Sequence, residues 1–78
     1  MKKEIEEWFG SNFGAVWSEG DWGKEYRIDD MYRVWEEATV WIDGRIDYSW
    51  VELYWGGTNY NSESFENFEN FKVFYENK

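Results

Sequence analysis

Seventy-eight residues carrying 17 Asp or Glu against eight Lys or Arg make an acidic chain of net charge −9. The absence of His, Cys and Pro excludes disulfides, thiolate metal sites and any catalytic group built on an imidazole base. The charge disfavours nucleic acid and anionic membrane as direct partners, because both repel such a surface.

Residues 2–9 predict a short helix, with Ile5, Trp8 and Phe9 on one side and Gly10 as its stop. Residues 11–23 are glycine-rich and read mainly as loop, anchored by Phe13, Val16, Trp17 and Trp22. Residues 24–28 alternate enough for a first strand, and Asp29-Asp30 turns into the stretch that organises the chain.

That stretch, residues 31–55, reads as a long β-hairpin turning at Asp43-Gly44. Asp-Gly between strand-like runs suits a type I′ turn, which needs positive φ at both central residues. A two-residue turn there sets Ile42 opposite Arg45, Trp41 opposite Ile46, Val40 opposite Asp47, and Tyr32 opposite Trp55. One face then carries Tyr32, Val34, Glu36, Ala38, Val40, Ile42, Arg45, Asp47, Ser49, Val51, Leu53 and Trp55, and is expected to be core. The other carries Arg33, Trp35, Glu37, Thr39, Trp41, Ile46, Tyr48, Trp50, Glu52 and Tyr54. Met31, Val34, Trp35 and Ala38 also fall at helical spacing. The Val, Ile, Tyr, Trp and Thr content favours strand, with a helical turn or bulge near Glu36-Glu37 as the alternative.

Gly56-Gly57-Thr58-Asn59 is expected to end the sheet. Residues 62–72 predict a helix capped by Ser62 or Ser64, with Glu63 and Glu66 near its positive end. Phe65, Phe68, Phe71 and Tyr75 lie along one side. Residues 70–76 equally suit a final strand by β propensity. The expected architecture is α+β: one domain over residues 1–78, a three- or four-stranded antiparallel sheet with a long central hairpin, a short N-terminal helix and a C-terminal helix.

Nineteen aromatics against ten branched aliphatics are more than a core this thin hides. A chain of this length buries roughly 60–65% of its unfolded surface, so clustered exposed rings are expected to form a binding surface. The first residues, MKKEIEEWF, lack an apolar signal core, which points to the cytoplasm. No apolar run approaches the ~20 residues of a membrane span.

No phosphate loop, dinucleotide fingerprint, zinc spacing or calcium loop is present. Carboxylate-pair chemistry of the glycosidase kind would have only Glu36/Glu37 or Asp29/Asp30 to use, and the chain has little room for a substrate cleft. The expectation is a non-enzyme with no catalytic residue, metal or cofactor. Two constellations remain. The acidic one is Asp29, Asp30, Glu36, Glu37, Asp43, Asp47, Glu52, Glu63, Glu66 and Glu69. Same-face strand residues stand ~6.6 Å apart, twice the strand rise, so their carboxylates could stand in for successive phosphates before an Arg/Lys groove. The aromatic one is Trp35, Trp41, Tyr48, Trp50 and Tyr54. These rings suit a core under the helices, a protein-binding hot spot, or a platform for sugars.

In charge, size and element order the chain resembles phage-encoded anti-defence proteins: antirestriction proteins, anti-CRISPR proteins and uracil-glycosylase inhibitors. That resemblance rests on no motif. It implies an inhibitor acting in the host cytoplasm as a DNA mimic on a basic nucleic-acid-binding protein, a nuclease or defence complex. The same surface suits an immunity protein or antitoxin against a basic nuclease toxin. A third reading is a carbohydrate- or peptide-binding module using the aromatic face. A large aromatic patch would also suit a symmetric dimer, so monomer and homodimer both stand.

Overall fold

The computed structural model describes residues 2–30 and 34–77, without the side chains of residues 2, 15, 29, 30, 34, 53 and 54. The elements run α1 (Lys2–Asn12), β1 (Ala15–Gly20), β2 (Gly23–Asp30), β3 (Val34–Trp41), β4 (Ile46–Tyr54), β5 (Gly57–Phe65) and α2 (Phe68–Glu76). The strands form one antiparallel sheet in sequence order, so each pairs with its chain neighbour. The class is α+β, with five strands rather than three or four. The expected pairing of Tyr32 with Trp55 lies outside the described residues.

Helix α1 does not stop at Gly10. It continues to Asn12 and is left through Gly14, whose φ of +87° suits glycine at a helix exit. The extra turn brings Phe13 onto the Ile5/Trp8/Phe9 side, where it is buried. The glycine-rich segment expected as loop is largely strand. β1 pairs with β2 from Ala15↔Arg27 to Gly20↔Gly23, with a bulge between Val16 and Ser18. Gly23 is needed twice over. Its φ is +143°, and a Cβ there would stand 2.0 Å from the Val40 carbonyl oxygen.

The central hairpin forms where expected, but one residue out of register. Val40 pairs with Ile46, Ala38 with Tyr48 and Glu36 with Trp50. Only Gly44 has positive φ at the turn, +96°, so the turn is not type I′. Gly44 N–H donates to the Trp41 carbonyl (2.9 Å) and Trp41 N–H to the Arg45 carbonyl (2.8 Å). This is a three-residue loop over Ile42-Asp43-Gly44, a type I turn closed by a left-handed glycine. Asp43 Oδ1 accepts from Arg45 N–H (3.0 Å) and supports it.

The slip exchanges the faces of β4. Ile46 and Tyr48 now lie beside Ala38 in the core, and all three are buried. Asp47, Ser49 and Val51 move to the opposite face, so the expected Val40/Val51 core face does not exist, and Ile42 and Trp55, also expected on it, are exposed. The side chains of Val34 and Leu53, two more of its expected members, lie outside those described. The reason is the relative cost of the two choices. The rejected register would place Asp47 and Ser49 beneath the helices, at ~1–3 kcal/mol or more for each buried polar group left unpaired. The observed one buries an isoleucine and a tyrosine at ~1.5–3 kcal/mol gained for each.

The sheet does not end at Gly56-Gly57. Trp55-Gly56 makes a tight turn, with Gly56 at φ +100°, and Gly57–Phe65 returns as β5 along the whole of β4. The expected helix over residues 62–72 therefore starts later. Asn67, rather than Ser62 or Ser64, caps α2, its side chain accepting from Asn70 N–H (2.9 Å). Residues 70–76 are helical, which excludes the final-strand alternative.

Both helices pack on one face of the sheet. The core is aromatic: Phe9 of α1 is stacked between Tyr26 of β2 (4.7 Å) and Phe71 of α2 (5.4 Å). Trp8 meets Phe68, Phe71 and Tyr75 edge-on, tying the helices together. Each such pair contributes ~0.5–1.5 kcal/mol beyond burial.

Candidate functional site

With both helices on one side, no described helix covers the other face of the sheet. Its composition follows from the register: Glu25 and Arg27 on β2, Trp35, Glu37 and Trp41 on β3, Asp47 and Val51 on β4, Tyr60 and Ser64 on β5. The Arg27 guanidinium lies over the Trp17 ring at 4.3 Å and bonds Glu37 (3.1 Å) and Glu25 (3.2 Å). Asp47 accepts from Trp41 Nε1 (2.8 Å) and Ser64 Oγ (2.8 Å), which holds one indole edge across three strands. The Trp35 and Tyr60 rings meet at 5.3 Å. Trp41 is flanked by Trp22 (5.6 Å) and by Arg45, whose guanidinium stands 5.1 Å from its centroid.

The five aromatics expected on one face are divided between two. Trp35 and Trp41 are on the open face. Tyr48 and Trp50 point into the helix side, where Trp50 stacks on Tyr48 (4.9 Å) and packs against Phe74. Tyr54's side chain lies outside those described. No platform of five rings exists. The open face instead joins Trp35 and Trp41 to Trp17, Trp22 and Tyr60. Trp17 and Trp22 read as loop anchors in the sequence, and Tyr60 sits in a strand whose polar composition gave no signal.

The acidic set divides as well. Glu36 is buried and accepts a hydrogen bond from the Tyr48 hydroxyl, so it presents nothing to a partner. Burial and that bond push the Tyr48 phenol far above its ordinary value. Glu37 is engaged by Arg27, and Asp47 by Trp41 and Ser64. The side chains of Asp29 and Asp30 lie outside those described. Asp43, Glu52, Glu63, Glu66 and Glu69 are exposed. Asp43 serves its own turn, and Glu52 accepts from Trp50 Nε1 (3.1 Å).

The ion pairs among the described residues gather on the β1–β3 side. Lys24 of β2 bonds Glu6 of α1 (2.8 Å) and Glu19 of β1 (3.2 Å), and these bonds hold its ammonium well above its ordinary value. The β5–α2 side contrasts with this. Glu63, Glu66, Glu69 and Glu76 are exposed there and make none of the described ion pairs. Four carboxylates are thus held by two cations around β2, whereas the β5–α2 carboxylates stand outside these pairs.

Among the described residues, no group of three or more acidic side chains is arranged to hold a metal ion. No helix there is long and apolar enough to cross a membrane. No family model, curated protein or solved structure matches the chain.

Proposed function

We propose that the chain is a small acidic inhibitor that occupies the basic nucleic-acid-binding surface of another protein. Carboxylates would stand where that protein binds phosphates, and the setting would be the cytoplasm of a cell whose nuclease or defence complex is the target. The observation carrying this reading is the acidic β5–α2 edge, where Glu63, Glu66 and Glu69 are exposed outside the described ion pairs.

The molecule's longest extent of 41 Å matches about 12 base pairs at ~3.4 Å each. Nine net charges over that length amount to one per about 4.6 Å, against one per ~1.7 Å on a duplex. At about a third of duplex charge density, electrostatics supply steering and specificity, and contact area must supply the remaining affinity. Trp55, fully exposed at the β4–β5 turn, and Tyr60, 68% exposed, are aromatic anchors of the kind that dominate interfaces.

Affinity capture from a bacterial lysate at low and high salt tests the reading. The expected catch is one or a few basic nucleic-acid-binding proteins, released both by salt and by added duplex DNA. Partners that are neutral or acidic, and indifferent to salt and duplex, would exclude it. An immunity protein against a nuclease toxin would use the same edge, and the captured partner's identity separates the two. The open aromatic face favours a second reading, a carbohydrate- or peptide-binding module. Glycan-array binding abolished by Trp35→Ala in a folded protein would favour it over inhibition.

A further inference from the structure

A cleft of about 410 Å³ opens at one end of the molecule. It lies between the first half of α1, the β1–β2 turn and the β3–β4 turn, and no described residue of β5 or α2 lines it. Its volume falls within the ~300–1,000 Å³ range of small-ligand sites. The walls are apolar: Ile5 from α1, the Tyr26 ring from β2, Val40 from β3, and Ile42 from the turn. Gly20, Gly23 and Gly44 also line it and fill none of it with side chains.

The charged groups lining this cleft are Glu6, Glu19, Asp43 and Lys24. Lys24 is already committed to Glu6 and Glu19, at 2.8 and 3.2 Å. Among the described lining residues, three carboxylates face one ammonium, a surplus of two negative charges around a largely apolar interior. The frame is braced before any ligand arrives. Ile42 N–H donates to the Trp22 carbonyl (2.7 Å), tying the two turns together. Lys24 ties α1 and β1 to β2.

We propose that this cleft binds an amphipathic monocation, an ammonium or guanidinium carried on an apolar stem. The stem would displace water from the Ile5/Tyr26/Val40 walls, and the head would sit among Glu19, Asp43 and Glu6. Anions are rejected by the net charge, and polar neutral molecules gain nothing from the walls. Two sources offer this chemistry: a free organic amine, or a Lys or Arg side chain on a basic protein surface. The site is independent of the acidic β5–α2 edge, so it can stand or fall separately from the inhibitor reading.

The test is a ¹⁵N–¹H titration of the folded full chain in two arms. The first uses phenethylamine and its anionic counterpart 3-phenylpropionate. The second uses the capped peptide Ac-Gly-Arg-Gly-NH₂. Saturable shifts are expected at the amides of Gly20, Gly23, Lys24 and Gly44, with the amine at least ~10-fold tighter than the carboxylate, as two net charges at partly screened distances imply. Peptide binding at the same amides assigns the site to a protein side chain as well; amine binding alone assigns it to free amines.

Ile42 is 74% exposed, so Ile42→Lys tolerates folding while adding an internal cation at the rim. It is expected to weaken the amine ~10-fold. Glu19→Gln with Asp43→Asn should bring amine and carboxylate within ~3-fold of each other. Equal binding of amine and carboxylate to the wild type, shifts centred elsewhere, or no saturable shift in either arm would each overturn the assignment.

Discussion

Replacing Tyr48 by Phe isolates a polar contact at the centre of a largely apolar core. The hydroxyl of Tyr48 donates to Glu36, and both residues are buried between sheet and helices. Phenylalanine keeps the ring, so the stack on Trp50 (4.9 Å) and the edge contact with Phe71 (5.3 Å) survive. What is lost is a hydrogen bond to a charged acceptor, at ~1.5–3 kcal/mol. In a domain of this size a loss of ~2 kcal/mol lowers Tm by roughly 8–16 °C. Urea and thermal denaturation followed by circular dichroism and Trp fluorescence would measure it.

The same variant carries a pH signature. Burial raises the phenols of Tyr26, Tyr48 and Tyr75 above their ordinary value of 10.0 in the folded state. The unfolded chain therefore loses these protons first. The stability they contribute is complete below pH 10 and declines as pH rises beyond it, by up to ~1.4 kcal/mol per pH unit for each phenol. Tyr48→Phe removes one phenol and should flatten the alkaline decline by about that amount. A variant within ~0.5 kcal/mol of wild type at pH 7, with an unchanged alkaline slope, would refute the reasoning on both counts.

Two glycines should respond in opposite directions. Gly10→Ala, at an exposed helical position with nothing within 4 Å of the added Cβ, should stabilise by ~0.5–1 kcal/mol. Gly23→Ala, driven against the Val40 carbonyl, should cost several times that or prevent folding, as denaturant midpoints would report. Asn67→Ala should cost ~1 kcal/mol through loss of the α2 cap, whereas Ser62→Ala should stay within ~0.5 kcal/mol; chemical denaturation of the pair decides between the two capping schemes. Glu63→Lys with Glu66→Lys and Glu69→Lys should leave Tm within a few degrees, since all three are exposed, while abolishing the salt-sensitive capture proposed for the acidic edge.

Much of this architecture is legible along the chain. The Ile5/Trp8/Phe9 spacing marks α1, Asp43-Gly44 marks the central turn, and the Phe68/Phe71/Tyr75 spacing marks α2. Each signal is local, a period or a backbone requirement carried by a few neighbouring residues. β5 is legible only in retrospect. Gly57–Phe65, GTNYNSESF, has no apolar alternation. It becomes a strand because β4 offers a row of unpaired backbone groups beside it.

The candidate surfaces depended still more on tertiary structure. Asp-Gly is compatible with a two-residue and a three-residue loop, and the difference of one residue turns every β4 side chain to the opposite face. Aliphatic content favoured burying Val51 and Leu53. The helices decide for Ile46, Tyr48 and Trp50, because Phe71 and Phe74 supply rings for Tyr48 and Trp50 to pack against, and Asp47 or Ser49 would have to give up water there. Composition determined an acidic, aromatic-rich chain without imidazole or thiol chemistry, and local periodicity and turn residues its α+β class. Which carboxylates are neutralised by Arg27 and Lys24, which rings stay in water, and where a cleft opens were decided by the strand register, a long-range packing choice that no local run of residues encodes.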